Sequence, residues 1–148
     1  MKNISTYLSA INSFSTKRIL VIGDLILDVY LNGTSTRLCP EAPVPVVEVS
    51  DRTVMLGGAA NVASNLKALG ASVDFCTVIC CDAEGEEAVG LLEALDISGQ
   101  QIVRTAGRHT VTKSRVVAGT QVITRIDQGS EDALDDLTTR KLIHHIER

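Results

Sequence analysis

The stretch Arg18-Ile19-Leu20-Val21-Ile22-Gly23, residues 18–23, is a short apolar run that ends in a glycine followed by Asp24. Such a run predicts a strand that is buried on both faces of a parallel sheet. Ligands of open α/β sheets bind beyond the carboxyl ends of the strands, so the segment from Gly23 to Asp28 is a candidate ligand site. The Asp28 carboxylate can accept hydrogen bonds from ligand hydroxyl groups, although a turn or helix-capping aspartate explains the same residue.

The segment after Asp28 changes in character. Short strands are predicted over Val29–Leu31 and Val44–Val49, on either side of a loop that contains three prolines, Pro40, Pro43 and Pro45. Proline cannot donate a hydrogen bond to a sheet, which disfavours a central strand here. We expect an edge strand or a separate flap.

The rest of the chain alternates between helices and strands. Its predicted elements are a helix from the Gly57-Gly58 pair to Gly70, a strand over Val73–Cys81, a helix over Glu86–Leu95, a strand at Ile102 and Val103, and a hairpin of Val111–Ala118 and Gln121–Asp127 around a Gly119-Thr120 loop. This order predicts an α/β fold with right-handed parallel crossovers. The proline-rich strands and the hairpin indicate a second, smaller β layer.

The sequence Leu56-Gly57-Gly58-Ala59-Ala60-Asn61-Val62-Ala63 is the sharpest candidate for a binding site. Paired glycines let the backbone approach a ligand closely, and the start of a helix offers free N–H donors. The Asn61 amide both donates and accepts, which suits a hydroxyl group. The alternative is a tight turn of small residues packed on the sheet. The motif matches neither a Rossmann dinucleotide loop nor a P-loop.

The predicted hairpin carries two cations, Lys113 and Arg115, at alternate positions. Alternate residues of a strand share a face and lie about 6–7 Å apart, so the two side chains can hold a phosphate. With a regular two-residue loop, Arg115 lies opposite Thr124 and Lys113 opposite Ile126, and Arg125 then faces the other way. The alternative is the solvated face of an exposed hairpin.

The composition narrows the classes of partner. The chain has 148 residues, 45% of them apolar and 22% charged, with a net charge of −4, two Phe, two Tyr and no Trp. Acidity and few aromatic side chains argue against nucleic acid or an anionic membrane as the partner. No apolar run approaches the ~20 residues that span a bilayer, and the N-terminal segment is a short amphipathic helix rather than a signal peptide, so we expect a cytoplasmic location.

The four cysteines lack the spacing of a zinc site, so no metal ligand is predicted. Cys76 and Cys80 fall on a predicted strand and are expected to be buried there as free thiols.

Taken together, the motifs resemble the ribokinase-family (pfkB-type) sugar kinases. Those proteins show an aspartate five residues after a glycine, here Gly23 to Asp28, and then a Gly-Gly-x-x-Asn helix start, with a flap between them that acts as a lid. Residues 36–47, TRLCPEAPVPVV, resemble the lid of the heptose 7-phosphate kinases, as do Thr112-Lys113-x-Arg115 and Arg125-x-Asp127.

This resemblance implies a ribokinase-like α/β fold, with a partial parallel sheet, flanking helices and a small β lid from segments near 29–56 and 109–127. It implies ATP-dependent phosphorylation of heptose 7-phosphate to the 1,7-bisphosphate, for ADP-heptose and lipopolysaccharide core synthesis, with ATP and Mg²⁺ as cofactors. The sugar hydroxyls would be held by Asp28, Gly57, Gly58 and Asn61. The phosphate already on the substrate would be held by Lys113 and Arg115, and a homodimer through the lid strands is expected.

The chain departs from the family pattern in two ways. Cys39 stands where the heptose kinases usually have a serine, with little expected effect. Family domains are also longer, and their catalytic base is an aspartate in a Gly-Ala-Gly-Asp-like helix start that this sequence lacks. Residues 1–148 are therefore expected to be the N-terminal half of a kinase domain. This half is expected to contain no catalytic residue, to bind ATP and Mg²⁺ poorly and to be inactive alone. The alternative is a non-catalytic sugar-phosphate-binding or dimerisation module.

Overall fold

The computed structural model describes residues 3–130 and 132–147, which form two β-sheets and four α-helices. The strands are Arg18–Ile22 (β1), Leu25–Leu38 (β2), Pro45–Gly57 (β3), Ser72–Cys80 (β4), Ile102–Thr105 (β5), Thr112–Ala118 (β6) and Gln121–Gln128 (β7), and the helices are Ile4–Asn12 (α1), Gly58–Ala68 (α2), Ala83–Glu93 (α3) and Asp136–Ile146 (α4). The predicted α/β class, with a partial parallel sheet and a second β layer, is confirmed. None of the helices in the described ranges is long and apolar enough to cross a membrane.

The first sheet has three parallel strands in the order β1-β4-β5. Its central strand β4 contributes Val73, Phe75 and Ile79 to the core. These side chains belong to one buried cluster with small or aliphatic residues of α2 and α3, namely Ala60, Ala63, Ala88 and Leu92. Small side chains let the helices approach the sheet closely, and burying a residue such as Phe75 contributes about 1.5–3 kcal/mol.

Strand β1 is less buried than its apolar sequence predicts. It lies at the edge of the three-stranded sheet, and only Val21 of the strand is buried, while Leu20 and Ile22 are exposed. The prediction of burial on both faces was therefore wrong for β1. An apolar run shows that a strand can be buried, but the neighbouring elements decide whether both faces are covered. In this sheet the doubly covered strand is β4, where Cys76 and Cys80 are buried free thiols, as predicted.

The second sheet, which we call the outer sheet, has four strands in the order β3-β2-β6-β7. Strand β2 pairs antiparallel with β3 and parallel with β6, and β6 pairs antiparallel with β7. The prolines lie in the β2–β3 turn and at the first residue of β3, an edge strand, as their missing N–H requires. Both strands are longer than predicted. Arg52 of β3 forms a two-fold hydrogen-bonded ion pair with Glu87 of α3, at 2.8 Å in each contact, which joins the outer sheet to the body.

The β6–β7 hairpin has the predicted two-residue loop, since Ala118 pairs with Gln121, and Gly119 has a φ of +61°. Its register is not the predicted one. Val116 pairs with Thr124 but Val117 pairs with Val122, so β7 contains one extra residue, a β-bulge.

The bulge changes which side chains share a face of the outer sheet. Because the side-chain period of a strand is two residues, one inserted residue moves the rest of β7 to the opposite face. Arg115 therefore lies opposite Arg125, and Lys113 lies opposite Asp127. The predicted pairs with Thr124 and Ile126 were wrong, and so was the predicted position of Arg125 on the face opposite to Arg115.

Candidate functional site

An ion pair between Asp28 and Arg115 forms the centre of the candidate site. Arg115 Nη1 donates to Asp28 Oδ1 at 2.6 Å, and the two side chains are 25% and 27% exposed. The Arg115 guanidinium also lies over the Tyr30 ring, with its Cζ 5.2 Å from the ring centroid. The hydrogen bond from Arg115 to Asp28 raises the pKa of the arginine, so its charge is permanent. No donor among the described residues occupies Asp28 Oδ2.

Gly57 gives the Asp28 carboxylate its space. It pairs with Ile26 across β2 and β3 and has an extended backbone, with φ of −111° and ψ of −178°. Any residue adopts that conformation, so the glycine is required for another reason. A Cβ at this position would lie 2.3 Å from Asp28 Oδ2. A side chain here would therefore displace the carboxylate.

Gly58 begins α2 and is required for two reasons. Its φ is +56°, in the left-handed region, and a Cβ would lie 2.5 Å from the Asp24 carbonyl oxygen. The N–H of Ala59 donates to that same oxygen at 2.9 Å. The start of α2 is thus fixed against the segment that follows β1, which is where the sequence placed a ligand.

The other two predicted residues lie at different places around Asp28. Asn61 is exposed in the first turn of α2, and its Oδ1 accepts a hydrogen bond from Asn65 Nδ2 at 3.2 Å. Lys113 is the register partner of Asp28 on β6. Within residues 3–130 and 132–147, no carboxylate oxygen lies within 4.0 Å of its amino group. The fold thus brings Asp28, Gly57, Lys113 and Arg115 together, with Gly58 and Asn61 at the adjoining helix start.

Three side chains on this face of the outer sheet, Tyr30, Arg125 and Asp127, were not predicted as site residues, although Arg125-x-Asp127 was part of the resemblance. Arg125 forms a two-fold hydrogen-bonded ion pair with Asp127, with Nε–Oδ1 and Nη2–Oδ2 distances of 2.8 and 3.0 Å. The spacing Arg-x-Asp on a strand already predicts that these two share a face. The bulge had a weaker signal, the consecutive apolar residues Val122 and Ile123, which break the alternation of β7.

The described residues also form a cleft of about 470 Å³, but none of the six predicted site residues lines it. Asp24, Arg108 and Asp132 are among its charged lining residues. The Arg108 guanidinium donates to the backbone carbonyls of Ser130, Asp132 and Ala133, at 2.7–3.0 Å, and so holds a loop. We therefore place the candidate site on the open face around Asp28 and not in this cleft.

Asp82 anchors the entry to β6 and thereby the position of Lys113 and Arg115. Its side chain accepts hydrogen bonds from Gly85 N at 2.9 Å, Thr110 N at 2.7 Å and Thr110 Oγ1 at 2.6 Å. Burial opposes ionisation of Asp82, but the hydrogen bonds from Thr110 and Gly85 outweigh it and lower its pKa. One carboxylate thus caps α3 and fixes the crossing from the parallel sheet to the outer sheet.

Asp82→Ala is expected to lower the free energy of unfolding at pH 7 by about 2–4 kcal/mol, since it removes a helix cap and two further hydrogen bonds to a mostly buried charge. Asp135→Ala is the matched control, because Asp135 caps α4 through Thr138 at 2.8 and 2.7 Å and, among the described residues, joins no second element. Asp135→Ala should lower the free energy of unfolding by less than Asp82→Ala does. Denaturant unfolding measures both.

The same pair of proteins tests the pH dependence. Because the pKa of Asp82 is lowered on folding, its contribution is complete above the unfolded value near 3.8 and disappears as the pH falls through the folded value. The difference between the parent and Asp82→Ala should therefore shrink below about pH 4. A difference that stays constant down to pH 2 would contradict this role for the ionised carboxylate.

The described residues around Asp28 offer no evident site for ATP and Mg²⁺, the cofactors that the resemblance implies. Among the described residues, no group of three or more His, Cys, Asp or Glu is arranged to hold a metal ion. The glycine pair at α2 lies against the Asp28 carboxylate, whose negative charge opposes a polyphosphate at that point. The glycine pair therefore does not suit the phosphates of ATP, and no step of the chemistry below is assigned to ATP or Mg²⁺.

Comparison with solved structures relates the fold to known enzymes. The chain superposes on ribokinase from Cryptococcus neoformans in complex with ADP with a TM-score of 0.58, at 18% identity over 80% of this chain and 36% of that one. For ribokinase from Thermotoga maritima the TM-score is 0.55, at 20% identity over 77% and 36%. At these identities the likeness concerns the fold, and it confirms the predicted ribokinase-like architecture.

Comparison with curated protein sequences finds relatives at higher identity than these solved structures. The chain is 48% identical over 127 residues to the bifunctional protein HldE of Helicobacter pylori (strain ATCC 700392 / 26695) and 44% identical over 131 residues to that of Sulfurimonas denitrificans. It spans 28% of the length of each of these relatives. The sequence model of the pfkB family carbohydrate kinases matches residues 16–146. Because that match includes both sheets and the Asp28 site, the chain belongs to the pfkB family of carbohydrate kinases.

Proposed function

We propose that this chain is the sugar-binding part of an ATP-dependent kinase that phosphorylates heptose 7-phosphate to the 1,7-bisphosphate. The observation that carries the proposal is the Asp28 carboxylate, oriented by Arg115 at 2.6 Å beside a glycine pair that leaves Oδ2 open. The lid-like sequence of residues 36–47 supports the heptose class. The family membership supports the reaction type.

The sugar would bind through its hydroxyl groups. Asp28 Oδ2 accepts from a hydroxyl, while Oδ1 stays bound to Arg115 and keeps the carboxylate in place. The Asn61 amide can donate to one hydroxyl and accept from another. Gly57 leaves room for the Asp28 carboxylate, and Gly58 fixes the start of the helix that carries Asn61. These residues bind and orient, and none of them is assigned a proton transfer.

The phosphate already on the sugar would lie against Lys113 and Arg115. Arg115 is engaged by Asp28, so Lys113 is the more available of the two. Phosphoryl transfer to the sugar needs a base and a nucleotide site, and no Gly-Ala-Gly-Asp-like segment for them occurs in this sequence. We propose that these 148 residues bind the sugar without transferring phosphate on their own.

The test is calorimetry of the purified chain with heptose 7-phosphate, free heptose and ribose 5-phosphate. Charge-assisted hydrogen bonds to the phosphate should give heptose 7-phosphate more than about a tenfold preference over free heptose. Ribose 5-phosphate should bind more weakly than heptose 7-phosphate. With ATP and Mg²⁺ present we expect no turnover. Equal affinities for the three ligands would refute sugar-phosphate binding, and a rate of about 1–100 s⁻¹ would refute the inactivity.

A role in dimerisation is the second candidate. Strands β3 and β7 are the two edges of the outer sheet, and β7 exposes Val122 and Ile126. An edge with exposed apolar side chains favours pairing with another strand, so we propose a homodimer through this sheet. Analytical ultracentrifugation over a roughly 100-fold range of protein concentration tests this dimer. A chain that stays monomeric over the complete range would exclude it.

A further inference from the structure

We infer that Arg125 is a further specificity-determining residue, which binds the phosphate group of the sugar substrate together with Lys113. This inference rests on the proposed function and adds a residue to the same site. The β7 bulge turns Arg125 onto the face of the outer sheet that carries Asp28.

The pairing of Arg125 with Arg115 is unfavourable in the absence of an anion. The two arginines lie directly opposite each other on antiparallel strands, where Cβ atoms are about 4.5–5.5 Å apart and like charges destabilise the sheet. Lys113 adds a third cation to the same face. The carboxylates beside these three cations are Asp28 and Asp127, so the five side chains together carry one more positive than negative charge. A phosphate dianion bound between these cations would remove the repulsion.

The two arginines differ in how firmly they are held. Arg115 pairs with a carboxylate from another strand, and both side chains are mostly buried. Arg125 pairs with Asp127 two positions along its own strand, and those side chains are 54% and 44% exposed. Exposed ion pairs of this kind contribute little to the stability of the fold, because water and salt screen the attraction between the two charges. Arg125 can therefore exchange Asp127 for a phosphate at small cost, whereas Arg115 keeps Asp28 in position.

The guanidinium geometry suits that exchange. Arg125 already presents Nε and Nη2 to the two oxygens of Asp127, at 2.8 and 3.0 Å. The same two donors match two oxygens of a phosphate. Asp127 would then be a competitor that occupies Arg125 until the phosphorylated sugar arrives.

The test compares four variants by calorimetry with heptose 7-phosphate and with free heptose. Arg125→Ala should weaken binding of the phosphorylated sugar about tenfold or more and leave free heptose unchanged. Arg125→Lys should recover part of the loss. Asp127→Asn should strengthen binding of heptose 7-phosphate, because it removes the competitor. Arg104→Ala is the control, since Arg104 also forms a two-fold hydrogen-bonded ion pair, with Glu86, and is 43% exposed, but lies on β5 of the parallel sheet. It should change neither affinity.

A purely structural ion pair would make Arg125→Ala and Asp127→Asn act in the same direction on both ligands, and that result would overturn the inference. So would an Arg125→Ala variant with unchanged affinity for heptose 7-phosphate. If the parent protein shows no preference for the phosphorylated sugar, the proposed substrate fails. Titration of inorganic phosphate, followed by the ¹⁵N resonance of Arg125 Nε, then decides about Arg125 separately. A shift that saturates supports the anion site, and an unmoved resonance rejects it.

Discussion

Asp28→Asn is expected to reduce the affinity for the sugar about 10- to 100-fold, the largest effect on binding of any single substitution in the site. The amide keeps the size of the side chain but removes the charge that both Arg115 and a sugar hydroxyl use, and a hydrogen bond to a charged group contributes about 1.5–3 kcal/mol. It also leaves the Arg115 guanidinium without its counter-ion at 2.6 Å. Calorimetry with free heptose measures the effect without a contribution from the phosphate.

The matched control is Asp74→Asn. Asp74 of β4 forms an ion pair with Arg18 at the same 2.6 Å, and its side chain is 25% exposed, close to that of Asp28. It lies on the parallel sheet and not on the outer sheet, so sugar affinity should stay unchanged. Gly57→Ala is an independent check, since its Cβ would push Oδ2 aside and should weaken sugar binding with the carboxylate still present. If Asp28→Asn binds the sugar as the parent does, Asp28 is not a sugar ligand.

Gly58→Ala is expected to lower the free energy of unfolding by about 2–4 kcal/mol and the Tm by roughly 5–15 °C. Two effects add at this position. Alanine is strained at a φ of +56°, and its Cβ would lie 2.5 Å from the Asp24 carbonyl oxygen, a backbone atom that can move only with the β1–β2 connection.

Gly90→Ala is the control for glycine replacement itself. Gly90 lies in α3 with nothing within 4 Å of the position its Cβ would take. Alanine there should stabilise the helix by about 0.5–1 kcal/mol, because it restricts the unfolded chain. Thermal and denaturant unfolding of the two variants should therefore shift in opposite directions. Destabilisation of similar size in both would show that the strain at Gly58 is not the cause.

Local patterns in the sequence were sufficient to predict most of the elements and to select most residues of the candidate site. The glycine pair and the helix after it, the apolar strand with Cys76 and Cys80, and the hairpin loop at Gly119 are all set by neighbouring residues, through backbone preference and side-chain periodicity. The position of Asp28 after the first strand and the alternate placement of Lys113 and Arg115 followed from the same periodicities. Each of these features depends on a few neighbouring residues, so it can be predicted from the sequence alone.

The tertiary structure alone decided what those side chains contact. The pairing of Arg115 with Asp28 joins residues 87 positions apart, which no local pattern encodes. The bulge in β7 placed Arg125 opposite Arg115, where a regular register had turned it to the other face. Exposure of β1 depended likewise on its neighbours in the sheet. Register and burial are set by packing between distant segments, so a sequence determines them only through the complete fold.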